Sequence, residues 1–255
     1  MITFASQISK HATNMKRNII TFVALLLVLV TACAHYVSGN DDEALRAWKA
    51  GAIVSVKAVE RYGMDRCFTS EPIPDAVFER MKGKSYPDGC LVKRSELRYL
   101  RVLHIDFEGK THLGEMVCNE SIAADLVDIF RQLYAARYPI ERMVLIDNYD
   151  AKDEMSMRDN NSSSFCYRVV SGTKTLSKHA RGLAVDINTL YNPYVRTRDG
   201  KQTVEPATAT PYVNRAKKFK YKIEKGDLCY RLFTERGFKW GGNWNTVKDY
   251  QHFEK

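Results

Sequence analysis

The chain lacks the features that mark the simpler structural classes. It contains no internal repeat and no low-complexity tract, so a repeat architecture is not expected. No Cys-x-x-Cys pair is present, which makes a thiolate zinc knuckle an unsuitable explanation for its cysteines. No basic helix with heptads and no aromatic-rich strand of the RNA-binding type accompanies the basic residues, and we therefore expect no nucleic-acid partner.

The chain also lacks an apolar run that would cross a membrane comfortably. Its most apolar stretch, residues 19–30, follows Lys16 and Arg17 and has the length of a signal-peptide core. We therefore expect export of the protein. Met15 stands directly before the two basic residues, so the sequence leaves open whether Met1 or Met15 is the true start.

The end of this apolar stretch, Val30-Thr31-Ala32-Cys33, resembles a bacterial lipobox. The resemblance implies a lipoprotein signal peptide over residues 1–33, lipid attachment to the sulfur of Cys33, and anchoring to the membrane of the cell envelope. An ordinary signal peptide cut after Ala32 or Ala34 is the alternative.

Composition indicates a folded, basic protein. Hydrophobic residues make up 45% of the 255 positions, enough for a packed core, and the formal net charge is +9. Such an excess of cations suggests an anionic neighbour such as a cell-wall polymer or lipid headgroups. We divide the mature chain into a tether and helical region, residues 34–94, and a second domain, residues 95–255.

Hydrophobic periodicity predicts an α+β fold with a small antiparallel sheet flanked by helices. Alternating apolar residues predict a hairpin over 97–119, and helical spacing predicts helices over 41–63, 74–82, 120–138 and 227–237. Three further segments are predicted as strands, namely 141–147, 165–170 and 182–187. Residues 148–164 are expected to be mobile, and 190–213 to form a long loop beside the site.

Five cysteines follow Cys33, and an exported protein meets an oxidising compartment. Cys67 and Cys90 bracket a stretch that contains proline and glycine, and we predict that they form a disulfide. The odd number leaves at least one cysteine free unless chains pair with each other.

The stretch "LSKHARGLAVDIN", residues 176–188, places His179 seven residues before Asp186 in an otherwise apolar strand. Catalytic zinc takes three ligands from histidine and carboxylate side chains and keeps a fourth position open. The two side chains converge if the chain curls at Gly182, and His252 must then come from a neighbouring strand. Asp249 would supply a carboxylate beside the metal as general base. Taken singly, each of these residues could instead have a structural role.

Together the motifs resemble the zinc D-alanyl-D-alanine carboxypeptidase family, which includes vancomycin-resistance-type enzymes and L-alanyl-D-glutamate endolysins and shares the hedgehog fold. The resemblance covers residues 95–255 and is strongest over 165–255. It is carried, in order, by "S-x-H-x-x-G-x-A-x-D-I-N", Asn192-Pro193-Tyr194, "E-x-G-F-x-W-G-G-x-W" and "D-x-x-H-F-E".

The resemblance implies a role for each matching residue. It makes His179, Asp186 and His252 ligands of Zn²⁺ and Asp249 the general base that acts on a metal-activated water. It makes Arg168 the residue that faces the substrate carbonyl, and Ser177 a hydrogen-bond partner of the substrate. We add Trp240 as a substrate-binding residue, although Trp240 and Trp244 could equally be core anchors, Arg168 a surface ion-pair partner, and Ser177 the cap of a local turn.

The function implied is hydrolysis of peptidoglycan stem peptides, with the D-alanyl-D-alanine bond as the first choice. An L-alanyl-D-glutamate endopeptidase is the alternative within the family. A non-catalytic wall-binding lipoprotein on the same fold is the alternative outside it. The bond, the oligomeric state and the role of residues 34–94 cannot be read from the sequence.

Overall fold

The computed structural model describes residues 40–169 and 175–255. The predicted signal peptide and its Cys33 lie outside the described residues. Helices and small antiparallel sheets alternate along the described chain, which confirms the predicted α+β class. No helix among the described residues combines the length and the apolar character needed to cross a membrane.

A four-stranded antiparallel sheet forms the first half of the fold. Its strands are β1 (Ile53–Val54), β2 (Thr69–Pro72), β3 (Leu97–Ile105) and β4 (Thr111–Asn119), in the spatial order β1-β4-β3-β2. The central pair is the hairpin predicted from alternating apolar residues, with Leu103 opposite Leu113. It turns at 106–110, where the Asp106 carboxylate accepts hydrogen bonds from two backbone N–H groups of the turn.

The N-terminal helical prediction was wrong in its extent. Instead of one helix over 41–63, α1 occupies residues 40–47 and α2 occupies Val56–Tyr62, with β1 between them. Gly51 adopts a positive φ of 85° in this interruption, a conformation that a helix cannot contain. The next helix, α3 (Asp75–Met81), lies where the sequence predicted it.

One long helix covers the sheet. This helix, α4 (Glu120–Ala135), begins at Asn119, whose side chain accepts a hydrogen bond from the N–H of Ser121. Its buried face repeats every three or four residues, as the spacing predicted, and packs on β3. A shorter helix, α6 (Leu228–Glu235), places Phe233 edge-on against Phe130 of α4.

The second half of the fold carries two smaller antiparallel sheets. One contains β5 (Ala184–Asp186), β8 (Lys239–Trp240) and β10 (His252–Glu254), in the order β5-β10-β8. The other contains β6 (Tyr194–Arg198), β7 (Lys201–Glu205) and β9 (Lys248–Asp249), in the order β7-β6-β9.

Several irregular predictions need correction. The segment expected to be a loop, 190–213, contains the β6–β7 hairpin. The segment expected to be mobile, 148–164, contains helix α5 (Asp153–Arg158). Two segments predicted as strands, 141–147 and 165–170, form no regular strand among the described residues. The first makes an isolated bridge at Arg142 and ends in the 3-10 turn Ile146–Tyr149. The second makes an isolated bridge at Val169, and residue 170 lies outside the described residues.

One hydrophobic core joins the described residues before and after position 95. Buried Leu45, Trp48 and Phe68 belong to the same cluster as Leu100 and Phe130. Strands β1 and β2 pair with the hairpin that follows residue 95. The division between 34–94 and 95–255 remains a prediction about domains, and a continuous sheet spans it.

The predicted disulfide is absent. All five cysteines of the described chain are free, four of them buried and Cys90 half-buried. The sulfur of Cys67 lies 3.6 Å from the carbonyl oxygen of Gly63, and that of Cys90 lies 3.6 Å from the carbonyl oxygen of Val92. Each thiol therefore satisfies its weak hydrogen-bonding capacity locally. Burial raises the pKa of the Cys67 thiol to about 11.

Candidate active site

Three potential metal ligands converge from three elements. His179 opens a single 3-10 turn, His179–Arg181, and Gly182 closes it with a φ of 67°. Asp186 ends β5, and His252 begins β10 directly opposite it in the antiparallel register. The sequence analysis expected His179 and Asp186 to converge through a curl at Gly182, with His252 supplied by a neighbouring strand. The structure has both features.

The ligand atoms face one another at short distances. Nε2 of His179 lies 3.1 Å from Nδ1 of His252 and 3.1 Å from Oδ2 of Asp186. Oδ1 of Asp186 lies 3.0 Å from Nδ1 of His252. All three side chains are largely buried. Ligand atoms of a tetrahedral zinc site are about 3.3 Å apart, so the spacing fits a small divalent cation.

The outer contacts of the two histidines fix which nitrogen each one presents. Nδ1 of His179 donates to the carbonyl oxygen of Ser164 at 2.6 Å, which leaves Nε2 to face the cluster. Nε2 of His252 donates to the Glu254 carboxylate at 3.2 Å, which leaves Nδ1. Hydrogen bonds of this kind orient histidine ligands at metal sites. The donor set and its supporting contacts thus fit a zinc ion.

The electrostatics of the cluster favour charge separation. Burial would raise the pKa of Asp186, but His179 and His252 outweigh it and hold that pKa far below its usual value. Burial would lower the pKa of His252, but its hydrogen bonds to Asp186 and Glu254 raise it to about 10. The Asp186 carboxylate is therefore ionised beside a protonated His252. A bound metal cation would replace this proton as the positive charge beside Asp186.

Asp249 presents a second carboxylate to the same space. It ends β9, opposite Tyr194, and its Oδ1 is buried without a hydrogen-bond partner among the described residues. Burial raises its pKa to about 7, although the charge of His252 opposes the shift. A Cβ at Gly241 would lie 2.6 Å from the Asp249 carbonyl oxygen, so glycine is needed for this close approach. The buried, unpaired oxygen suits a group that exchanges a proton.

Arg168 also reaches the site, on the extended segment 163–169. Backbone hydrogen bonds tie this segment to the hairpin at Val117, to Ser85 and to the 3-10 turn at His179. Nε of Arg168 lies 2.6 Å from Oδ2 of Asp153. The sequence left two alternatives for Arg168, a residue of the site or an ion-pair partner. Arg168 is both, because it lines the site and pairs with Asp153.

Ser177 and Trp240 have different surroundings. The hydroxyl oxygen of Ser177 accepts a hydrogen bond from the N–H of Ala180 at 3.0 Å, so it caps the turn that carries His179 and still lines the site. Trp240 lies in the hydrophobic core and donates from Nε1 to the carbonyl oxygen of Tyr250. Its position gives no support to a substrate-binding role. Trp244 lines the cavity instead, with its ring 5.2 Å from the ring of His252.

These residues share a cavity of about 1020 Å³. Every predicted site residue except Trp240 and Cys33 lines it, and Cys33 lies outside the described residues. One wall is the β6–β7 hairpin, which contributes Arg196 and Glu205, and another is α5, which contributes Asp153. The volume is sufficient for a peptide segment.

The sequence did not identify four carboxylates of this cavity. Glu254 could have been found, because it lies two residues after His252 and alternate residues of a strand share a face. Asp153, Glu154 and Glu205 had no such signal, since their elements were expected to be irregular. Burial and the neighbouring acids Asp153 and Glu154 raise the pKa of Glu205.

Comparison with known proteins gives a family match for the last third of the chain. Residues 171–255 match the family model described as D-alanyl-D-alanine carboxypeptidase. No curated protein and no solved structure matches the chain. The match includes the three potential metal ligands and Asp249, while Arg168 lies just before it. It confirms the resemblance drawn from the motifs: residues 171–255, one third of the chain, are similar to the D-alanyl-D-alanine carboxypeptidase family, and the match supports a peptidase.

Proposed function

We propose that the protein hydrolyses the terminal D-alanyl-D-alanine bond of peptidoglycan stem peptides with a zinc ion held by His179, Asp186 and His252. The observation that carries the proposal is the convergence of these three ligands with the unpaired carboxylate of Asp249 in one cavity. The family match over residues 171–255 supports the peptide as substrate class.

Zinc, when bound, polarises a carbonyl group and lowers the pKa of a coordinated water towards about 7. The chain's own residues supply the proton transfers. Asp249 accepts a proton from the attacking water, and its raised pKa allows it to return that proton to the leaving amine.

Arg168 supplies positive charge where the carbonyl oxygen gains negative charge. A guanidinium fixed in a cavity stabilises an oxyanion more than the neutral carbonyl, so its contribution falls mainly on the transition state. Ser177 acts chiefly through the turn it caps, which sets the position of His179. The ring of Trp244 borders the metal site and limits the space beside His252.

We also propose that the protein is exported and held at the bacterial cell envelope by a lipid on Cys33. The lipobox-like residues before Cys33 and the net positive charge support this location beside an anionic wall. The variant Cys33→Ala should move the protein from the membrane fraction to the soluble fraction. Retention of the variant in the membrane fraction would count against the anchor.

Mass spectrometry of muropeptides tests the activity. Purified protein with zinc should convert pentapeptide stems to tetrapeptide stems by loss of one D-alanine, and a chelator should abolish the conversion. Cleavage between L-alanine and D-glutamate would instead assign the endopeptidase activity of the same family. Stoichiometric zinc without any cleavage would contradict hydrolysis and leave a wall-binding protein.

A further inference from the structure

The Arg168 side chain is held by a single carboxylate. Its Nε lies 2.6 Å from Oδ2 of Asp153, and no other carboxylate among the described residues forms an ion pair with it. Both side chains are about one-third exposed, so the pair faces the cavity and is not fully enclosed. The Nε–H makes no hydrogen bond among the described residues, so Asp153 holds the guanidinium by charge at close range.

Asp153 itself stands on a firmly attached element. It is the first residue of α5, and the chain enters this helix through Asp150 and Ala151, which both adopt positive φ values. The side chain of the next residue, Glu154, accepts a hydrogen bond from the N–H of Ala207, which ties α5 to the segment after β7. The carboxylate that holds Arg168 therefore has little freedom to move.

Competing carboxylates surround the guanidinium. Asp186 and Asp249 both act on the charge of Arg168, and Asp249 has a buried oxygen without a partner. Without Asp153, the positive charge of Arg168 would be drawn towards these two carboxylates or towards Glu205, on which it also acts. An ion pair with Asp249 or Asp186 would remove a group that the proposed reaction needs, because Asp249 must accept a proton and Asp186 must bind the metal.

We propose that Asp153 is a positioning residue that aims the guanidinium of Arg168 at the substrate carbonyl and keeps its charge away from Asp249. The inference rests on the proposed function of the site. It assigns a catalytic consequence to a helix that does not contact the metal ligands through any hydrogen bond or ion pair among the described residues.

A double-mutant cycle tests the assignment. Asp153→Asn should lower kcat for a D-alanyl-D-alanine peptide by roughly 10–100-fold with little change in KM, because orientation and not binding is lost. Arg168→Gln should have an effect of similar size or larger. The double variant should be no slower than Arg168→Gln alone, because Asp153 acts through Arg168.

Asp159→Asn is the matched control. Asp159 follows the same helix and pairs with Arg142 at 3.0 Å, but it does not line the cavity. Its variant should keep the wild-type kcat. Effects of Asp153→Asn and Arg168→Gln that multiply in the double variant would overturn the inference, and so would a wild-type kcat in Asp153→Asn.

A second readout does not depend on turnover. In the NMR spectrum of the full protein labelled with [15N]arginine, the Nε–H signal of Arg168 should change its chemical shift in Asp153→Asn and keep the wild-type position in Asp159→Asn. An unchanged Arg168 signal in Asp153→Asn would overturn the positioning role even if the wild type is active. Absence of all peptide cleavage by the wild type would instead refute the proposed function, and the Arg168 signal would still decide whether Asp153 holds Arg168.

Discussion

Asp249 has a chemistry that depends on its burial and on the absence of a hydrogen-bond partner at Oδ1. A carboxylate in water would be a weaker base than one whose pKa has been raised to about 7. We expect Asp249→Asn, which keeps the shape and removes the proton acceptor, to lower kcat/KM by about 10²–10⁴-fold. Steady-state hydrolysis of a D-alanyl-D-alanine peptide measures the loss.

Zinc content separates this prediction from a general loss of structure. Asp249 is not one of the three grouped ligands, so Asp249→Asn should retain the metal content of the wild type. A variant that keeps its zinc and also keeps wild-type kcat/KM would exclude Asp249 as the general base.

The burial of His104 leads to a second prediction, about how the stability of the fold depends on pH. His104 is fully buried in β3, and burial lowers its pKa to about 4. The charge of His112 lowers the pKa further, whereas the hydrogen bond to the Ile140 carbonyl and the charge of Asp106 raise it by less than burial lowers it. The unfolded chain, with a histidine pKa near 6.5, then binds more protons than the folded chain between pH 6.5 and pH 4. Stability is therefore lost as the pH falls through this window, by about 3 kcal/mol from this residue.

The variant His104→Gln should remove this part of the acid sensitivity. Urea unfolding at pH 7 and pH 4, in the presence of a chelator, should show a smaller loss of stability for His104→Gln than for the wild type. His112→Gln is the control, because that histidine stacks on His104 and is hydrogen-bonded to the Asp106 carboxylate at 2.7 Å. Equal losses in wild type and His104→Gln would contradict the assignment.

Among the individual residues, the metal ligands could be predicted from the sequence, because their chemistry and spacing are unusual in an apolar strand. The partners of those ligands are harder to predict. Ser164 contributes only its backbone carbonyl to His179, and a carbonyl leaves no trace in residue identity. Asp153 is one of many acids in a polar stretch, and only folding brings it to Arg168.

Among the elements, the 3-10 turn His179–Arg181 sets the geometry of the metal site. Gly182 closes it at a φ of 67°, and a Cβ there would lie 2.6 Å from the backbone nitrogen of Asn119. Gly182→Ala should therefore destabilise the fold by about 2–4 kcal/mol, through the left-handed backbone and the clash together. It should also weaken zinc binding, since His179 would shift with the turn.

Gly200→Ala is the matched control for this turn. Gly200 has a similar φ of 72° at the tip of the β6–β7 hairpin, but a Cβ there meets nothing within 4 Å. Its alanine variant should cost only about 1 kcal/mol of conformational strain and leave zinc binding unchanged. Thermal unfolding of both variants measures the difference, and equal costs would exclude the clash with Asn119.

Elements with a clear hydrophobic period were predicted well, and elements without one were not. Helix α4 buries one face, which imposes the spacing that its sequence shows, and the β3–β4 hairpin is buried over most of its length and is correspondingly rich in apolar residues. The β6–β7 hairpin is mostly exposed, so no apolar alternation marks its strands. Helix α5 has six residues with one buried side chain, too short for a period to develop.

For the whole molecule, the continuous core has a consequence for truncation. Residues 40–94 bury Leu45, Trp48, Val54 and Phe68 in the same cluster as the hairpin and α4. Loss of these four contacts removes roughly 10 kcal/mol of apolar burial, at about 1.5–3 kcal/mol per side chain. That is comparable with the total stability of an ordinary domain.

We therefore expect a fragment of residues 95–255 to lack cooperative unfolding, whereas residues 40–255 should unfold in one transition. Circular dichroism with thermal and urea denaturation distinguishes the two outcomes. A fragment 95–255 that folds cooperatively with the stability of the longer chain would show that the first 94 residues form a separate module.

The central claim is that His179, Asp186 and His252 hold one zinc ion, and metal analysis of the purified protein tests it most directly. Inductively coupled plasma mass spectrometry should find about one zinc per wild-type chain and almost none in His179→Ala or His252→Ala. A wild-type protein without zinc, or histidine variants that keep a full equivalent, would contradict the account.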